Sequence, residues 1–321
     1  MDAYTKQYLK DRENDYEKFG YYSLPISMEE FEEDNQKTWD QYLKDKKDRK
    51  KRAKLDLISL TAYAPRFGYL MAFQKQDYQL LNNVLWQDGM TNLKIDGILA
   101  GGGFFSGSVL NNLLLCFASN NTKPLEAFLL ADTSGLHGTY YTENVLNLLK
   151  ARYFQKDKEK ALRLANAFLT KKRTLLELAY VRFFAALVKE DADGLSKALQ
   201  ELCIAYKRQG YPVKKRDKYF AGEIHGLYRL VRFFDQHLFE KVQMPDHSCF
   251  FIPFENWQKE HQYPQGTFFY SYPKEMNEIN LLIAAKLPQI KTEMYYRKPV
   301  LDTDSFLKDL SDSVWKNIGE Q

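Results

Sequence analysis

The chain has 321 residues, of which 45% are hydrophobic and 27% are charged, an ordinary globular composition that can bury a sizeable core. The formal net charge of only +4 argues against a dedicated nucleic-acid-binding protein. No stretch approaches the ~18 apolar residues that a membrane helix needs. The charged opening also lacks the apolar core of a signal peptide, so we expect a protein that is neither exported nor membrane-bound.

Charge is unevenly distributed near the N-terminus. Residues 1–45 carry 12 acidic and 6 basic side chains, whereas 46–54 carry 7 basic and 1 acidic. The basic run is typical of a solvated helix face, and a phosphate-binding patch or a localisation signal is the alternative. We expect residues 1–54 to form a charged, helical N-terminal extension.

Apolar residues recur with a period of 3.6 from about residue 55 to 240, which predicts a succession of helices. Four segments share one plan, an apolar stripe, a short polar break and a second stripe: 70–85, 114–130, 147–168 and 181–202. Their spacing of 34 to 44 residues, counted from Phe73, Phe117, Phe154 and Val188, lies in the range of helical-hairpin repeats. Asp77, Thr122, Asp157 and Asp191 are the expected helix N-caps. The pattern predicts an all-α fold, an irregular stack of antiparallel hairpins over 55–243, with Phe183, Leu187, Leu199 and Leu202 in its core.

The glycine cluster at 101–103, followed by Gly107, suggests a dinucleotide-binding turn. However, Ser106 stands where G-x-G-x-x-G requires its last glycine, and the surrounding pattern is helical. We therefore expect no nucleotide site.

The character of the chain changes after residue 243. The segment 244–275 contains four prolines and nine aromatic residues without a clear helical period. Two final helices are expected at about 276–292 and 302–318. We expect 244–321, an irregular aromatic segment followed by helices, to pack on the same domain as the hairpins.

No catalytic or metal site can be assembled from the motifs. The five histidines form neither H-E-x-x-H nor a Cys/His quartet with zinc spacing, and no serine lies in G-x-S-x-G. Cys116, Cys203 and Cys249 are odd in number and form no C-x-x-C, which favours buried thiols in a reducing, cytoplasmic compartment. Carboxylates are scattered through charged segments that we expect to be exposed. We therefore expect no catalysis, no cofactor and no metal.

One polar helix face is a candidate contact surface. His225, Arg229 and Arg232 share a face of the helix predicted at 217–241, opposite its apolar stripe. This face is either simply solvated or directed at an anion or an acidic partner. Glu223 lies two positions from His225 and points away from it on a helix, so the two are not expected to form an acid–base pair.

Residues 140–246 resemble the C-terminal half of the immunity-protein-49 family, helical antidotes encoded beside polymorphic bacterial toxins. The resemblance rests on the aromatic-rich helix at 140–165, on the hairpin from Asp191 to Leu199, and on the helix and apolar-Pro segment from Gly226 to Pro245. It covers about a third of the chain, and the tail after residue 246 departs from the family pattern. It implies a bacterial immunity protein that neutralises a cognate toxin by direct binding, without catalytic residues.

Two hypotheses about function follow. The first is an immunity protein bound to a protein toxin; the alternative is a helical-repeat adaptor that holds a peptide or protein in a concave groove. A structureless, aromatic-rich connection is unusual in a compact domain, so we expect 244–275 to contribute to the partner surface, to close the end of the helical stack, or to do both. The candidate contacts are Trp257, as the best anchor, with Phe251, Phe269, Tyr270, His225, Arg229 and Arg232.

Overall fold

The computed structural model describes residues 1–44, 64–99, 104–131, 136–210, 214–295 and 298–318. The basic run at 46–54 and the glycines at 101–103 lie outside these ranges. Helices dominate the described residues, which confirms the predicted all-α fold. Among the described helices, none is both long enough and apolar enough to cross a membrane.

The elements follow one another along the chain in a simple order. Besides connecting loops and two short 3₁₀ helices, the described residues contain fifteen α-helices and one small β-hairpin. They are α1 Ala3–Phe19, α2 Met28–Lys44, α3 Ala64–Lys75, α4 Tyr78–Leu99, α5 Gly107–Ala118, α6 Pro124–Leu129, α7 Tyr141–Phe154, α8 Lys158–Leu169, α9 Leu175–Lys189, α10 Ala192–Arg208, α11 Gly222–Phe234, α12 Gln236–Lys241, α13 Ile252–Glu260, α14 Asn277–Ala284, β1 Thr292–Tyr295, β2 Lys298–Leu301 and α15 Thr303–Ile318.

The four predicted stripe–break–stripe segments are the helix pairs α3/α4, α5/α6, α7/α8 and α9/α10. Each break contains a non-glycine residue with positive φ, at Gln76, Asn120, Gln155 and Glu190. This left-handed conformation ends the first helix of each pair; the second helix begins after two or three residues in three of the pairs and after five residues in α5/α6. The recurring plan in the sequence therefore corresponds to one recurring turn in the structure.

Two of the four predicted N-caps are confirmed. Asp77 accepts a hydrogen bond from the Leu80 N–H at 2.8 Å, and Asp191 accepts one from the Gly194 N–H at 2.9 Å. Asp157 holds the predicted N-cap position of α8, but its side chain makes no capping bond because its own backbone is left-handed. The prediction is wrong for Thr122, because the N-cap position of α6 falls on Lys123.

A single apolar core links the hairpins to both ends of the chain. The predicted core residues Phe183, Leu187, Leu199 and Leu202 are all fully buried, at 0% exposure. In the N-terminal part, Phe31 stacks on Phe67 with ring centroids 5.2 Å apart and meets Tyr270 edge-on at 5.1 Å. Trp39 lies against the same Tyr270, so α2 packs directly on the aromatic segment. The N-terminal helices thus contribute to the core.

Glycines allow α5 to approach its two neighbours closely. A Cβ at Gly226 of α11 would lie 1.9 Å from the Leu114 carbonyl oxygen, and one at Gly89 of α4 would lie 2.8 Å from the Cys116 backbone nitrogen. Both obstacles are backbone atoms, which cannot move aside as a flexible side chain can. The helices α4, α5 and α11 therefore form a tightly packed layer.

We predict that Gly226→Ala lowers the free energy of unfolding by about 1–3 kcal/mol or more, because α11 must move away from α5. This range is usual for overpacked cores. Gly210→Ala is the matched control, since a Cβ there meets nothing within 4 Å. Urea unfolding of both variants tests this expectation. Equal midpoints for the two variants would contradict the close packing of α5 and α11.

The C-terminal part differs from the expected pair of long helices. The first helix, α14, ends at Ala284 instead of near residue 292, because Pro288 disfavours helical backbone at the residue before it. The next residues form an antiparallel hairpin in which Thr292 pairs with Leu301 and Glu293 with Val300. The segment 244–275 also contains the helix α13, which begins at Ile252 with a proline in its first turn. Proline is well tolerated there, so it does not mark irregular backbone.

Candidate functional site

Side-chain amides attach the aromatic segment to α4. Gln87 accepts hydrogen bonds from the backbone N–H groups of Phe269 and Tyr270, at 3.1 and 3.2 Å, and donates to the Tyr270 carbonyl at 3.1 Å. Asn82 donates to the Pro264 carbonyl at 3.0 Å and accepts from Gln258 at 2.8 Å. The backbone of this non-helical stretch is thereby satisfied by protein groups, which buried backbone requires. The segment closes one side of the helical layer.

The aromatic rings of this segment are distributed unevenly between core and surface. Phe250 is buried and Phe251 is half-buried, as an alternating chain predicts, whereas Phe268 and Phe269 are both half-buried. Tyr270 is only 8% exposed. Trp257 is half-buried, and its ring stacks on His261 with centroids 4.7 Å apart. Of the predicted contact residues in the segment, Trp257, Phe251 and Phe269 therefore present part of a ring to solvent.

The interpretation of His225 and Arg229 as a solvated face is wrong. His225 is fully buried and Arg229 is 3% exposed, while Arg232 alone of the three is half-buried. The cause is the chain from Phe250 to Glu255, which covers the polar face of α11. Glu255 faces both residues: its carboxylate accepts from His225 Nδ1 at 2.6 Å and forms an ion pair with Arg229. The polar side of α11 is therefore buried at His225 and Arg229, as its apolar side is.

The contacts of His225 define its tautomer. Its Nε2 accepts a hydrogen bond from the Phe251 backbone N–H at 3.0 Å, so the proton is on Nδ1 and points at Glu255. Burial lowers the pKa of His225 and favours this neutral form, against the opposing effect of Glu255. The ring lies between Phe220 and Phe250, with centroids 5.1 and 4.2 Å away. Both nitrogens are engaged, so the cluster His225–Arg229–Glu255 is built to hold α13 on α11.

Some ionisable groups are not exposed, contrary to the expectation from sequence. Burial raises the pKa of Asp88 to about 6 and that of Glu223 to about 7. Asp88 accepts hydrogen bonds from the Tyr69 hydroxyl at 2.9 Å and from Asn92 at 2.6 Å. Burial also lowers the pKa of Lys94 to about 7; its ammonium donates to the Ile283 carbonyl at 2.8 Å and fastens α14 to α4. Asp88 and Lys94 therefore serve as internal hydrogen-bonding partners between helices.

A second cluster joins α10 to the loop before α13. Single ligand atoms of Cys203, His247 and Cys249 all lie within 4.8 Å of one another, and both thiols are buried. The Cys249 Sγ is 3.2 Å from His247 Nδ1. A hydrogen bond between the two thiols lowers the pKa of Cys249 and raises that of Cys203. Sequence motifs did not reveal this trio, since only the H-x-C at 247–249 is local and Cys203 lies 46 residues away from Cys249.

Comparison with known proteins identifies no relative. No family model matches the chain, and neither a curated protein nor a solved structure matches it significantly.

Proposed function

We propose that this chain is a non-catalytic binding protein that neutralises a bacterial protein toxin by direct contact. The resemblance of residues 140–246 to the immunity-protein-49 family motivates the choice of a toxin. The observation that carries the proposal of a protein partner is an exposed cluster of large apolar side chains at the end of α1. We call it the aromatic patch, and it consists of Tyr16, Phe19, Tyr21, Tyr22 and Ile26.

The aromatic patch is unusual in its exposure. Its five side chains are between 39% and 61% exposed and lie within eleven residues of one another. Single exposed apolar residues are normal, but a contiguous group marks an interaction site. Tyrosine is also enriched among the residues that dominate binding energy. The patch borders a cavity of about 400 Å³ lined in part by Tyr22, Leu24 and Phe67, which could receive a side chain of the partner.

Two rings of the aromatic patch are held in place by contacts within the chain. Tyr16 stacks on Tyr22 with ring centroids 4.6 Å apart, and the Arg12 guanidinium lies 3.9 Å above the Tyr22 ring. Arg12 also binds Glu30 of α2 at 2.7 Å and the Leu24 carbonyl at 2.5 Å. The turn between the helices begins at Gly20, whose φ of 75° is the left-handed conformation that ends α1. Such preorganisation reduces the conformational entropy that is lost on binding.

The decisive experiment is co-expression of this chain with the product of the larger gene beside its own. We expect this chain to restore growth and to form a stable complex with that product. The double variant Phe19→Ala/Tyr21→Ala is expected to lose at least ~30-fold in affinity, the equivalent of one binding hot spot of about 2 kcal/mol, with an unchanged melting temperature. Affinity is measured by calorimetry on purified proteins.

Two matched variants locate the interface. Tyr140→Ala removes an exposed tyrosine, 51% accessible, outside the aromatic patch and should bind normally. Trp257→Ala tests the anchor predicted from the sequence. If Trp257→Ala weakens binding while the double variant does not, the interface lies on the aromatic segment. If the neighbouring product is not toxic, or is toxic and forms no complex with this chain, the proposed function is wrong.

The adaptor alternative is favoured by a different surface. A groove of about 550 Å³ between α7 and α8 is lined by Lys156, Lys160 and His137, with one carboxylate, Asp157. Lys150 also lines it, and its ammonium donates to the Ala131 carbonyl at 2.7 Å. Phe154, 40% exposed, supplies an apolar wall. A groove with this lining suits an acidic peptide bearing an apolar side chain. Loss of binding in Lys156→Glu/Lys160→Glu, with the aromatic-patch variant unaffected, would support this alternative over the first.

A further inference from the structure

We propose that Cys203, His247 and Cys249 form a binding site for a zinc ion that joins α10 to the loop before α13. The inference is independent of the partner that the protein binds. Two sulfur atoms and one imidazole nitrogen, contributed by α10 and by the H-x-C at 247–249, converge within 4.8 Å, and tetrahedral zinc takes such ligands. Two thiolates would balance the charge of the divalent ion.

The separation of one pair of these atoms is close to that of two zinc ligands, and all three atoms lie within 4.8 Å of one another. Zn–S bonds of about 2.3 Å and Zn–N bonds of about 2.0 Å at tetrahedral angles place sulfur and nitrogen about 3.5 Å apart. The Cys249 Sγ and His247 Nδ1 are 3.2 Å apart, so a small expansion would admit the ion. The competing contact of His247 Nδ1, with the Cys249 backbone N–H, is long at 3.4 Å. Little hydrogen bonding is lost when the nitrogen turns to the metal.

The backbone that carries the ligands is fixed in register with α10. Ser196 and Gln200 lie on the same face of α10 as Cys203, at relative positions i, i+4 and i+7. Ser196 accepts the Gln243 N–H at 3.0 Å, and Gln200 exchanges hydrogen bonds with the Asp246 backbone at 3.0 and 3.2 Å. These bonds place His247 and Cys249 opposite Cys203.

A further hydrogen bond connects the loop that carries His247 and Cys249 to α11. The Cys249 carbonyl accepts the Ala221 N–H at 2.9 Å, which ties the ligand to the start of α11. The site is therefore held by α10 and α11 before any metal binds, as an efficient metal site requires.

Solvent exposure distinguishes the three ligands. Both cysteines are 0% exposed, whereas His247 is half-buried. Three protein ligands leave the fourth tetrahedral position vacant, and the exposed side of His247 is where water or a group from a partner protein could enter. Zinc here would release the two thiol protons and cross-link the loop to the helix, so it would stabilise the fold, and more strongly the tighter it binds.

The test uses the full chain, purified under reducing conditions and stripped with a chelator. Titration with Co²⁺ should give thiolate-to-cobalt charge-transfer absorbance that saturates at one ion per chain and disappears on addition of Zn²⁺. Zn²⁺ should raise the melting temperature. Loss of an outer-shell partner alone weakens metal binding about 10- to 100-fold, so His247→Ala and Cys203→Ser should each lose more than ~100-fold.

Two matched controls separate this site from adventitious binding. Cys116→Ser removes the other buried thiol, on α5, and His261→Ala removes an exposed imidazole on α13's C-terminal side; both should bind Co²⁺ like the unmodified protein. His247 is half-buried, so its alanine variant should fold, as circular dichroism will verify. Three results would each overturn the proposal: no stoichiometric binding, binding unchanged in His247→Ala, or a mass showing a Cys203–Cys249 disulfide in metal-free protein kept under reducing conditions.

Discussion

Glu255→Ala is expected to lower the free energy of unfolding by about 3–5 kcal/mol, the usual effect of removing one partner from a buried ion pair. The Glu255 side chain is only 2% exposed, and its carboxylate meets both Arg229 and His225. In the alanine variant the Arg229 guanidinium, itself 2% exposed, keeps its charge without a counter-ion. The loss therefore reflects an uncompensated buried charge more than the strength of the pair in the native protein.

Urea unfolding, followed by circular dichroism, measures this effect. Glu260→Ala is the matched control, because Glu260 lies on the same helix, α13, and is exposed. We expect the control to change stability by no more than about 0.5 kcal/mol. Glu255→Gln should fall between the two, since it still accepts from His225 Nδ1 but carries no charge. Similar losses in Glu255→Ala and Glu260→Ala would show that the cluster does not hold α13 on α11.

Phe183→Ala is expected to cost about 3–5 kcal/mol, which reflects lost apolar burial and the cavity that remains. Phe183 is 0% exposed, and its ring meets that of Phe184 edge-on with centroids 5.2 Å apart. It lies in the middle of α9, which packs against α7, α8 and α10. Because neighbours surround the ring on several sides, the site cannot collapse to fill the cavity.

The control for this variant is Phe19→Ala, in which the same side-chain atoms are removed from a position that is 51% exposed. Its loss should be below about 1 kcal/mol, since most of the ring already contacts water. Both free energies come from urea unfolding with a common m-value. A loss below ~1 kcal/mol for Phe183→Ala would mean that α9 does not lie at the centre of the core.

The hairpin stack could be predicted because its determinants are local. The 3.6-residue period assigns Phe183, Leu187, Leu199 and Leu202 to inward faces, and all four are buried. Asp77 and Asp191 cap their helices as their positions before apolar stripes indicate. Asp157 shows the limit of this local information: a residue suited to capping makes no such bond when the adjoining turn places its own backbone in the left-handed region.

The clusters that could carry chemistry depend on contacts between residues far apart in the chain. Periodicity showed that His225 and Arg229 lie opposite the apolar stripe of α11. It did not show that residues 250–255 cover that face. Glu255, 30 residues after His225, thereby places a carboxylate oxygen 2.6 Å from His225 Nδ1. Likewise, Cys203 meets His247 and Cys249 because the loop lies along α10 in a register that Ser196 and Gln200 define. Helix formation depends on neighbouring residues, so the pattern of apolar residues in the sequence reveals it. The packing of distant segments determines which polar helix faces become buried, and only the tertiary structure decides that packing.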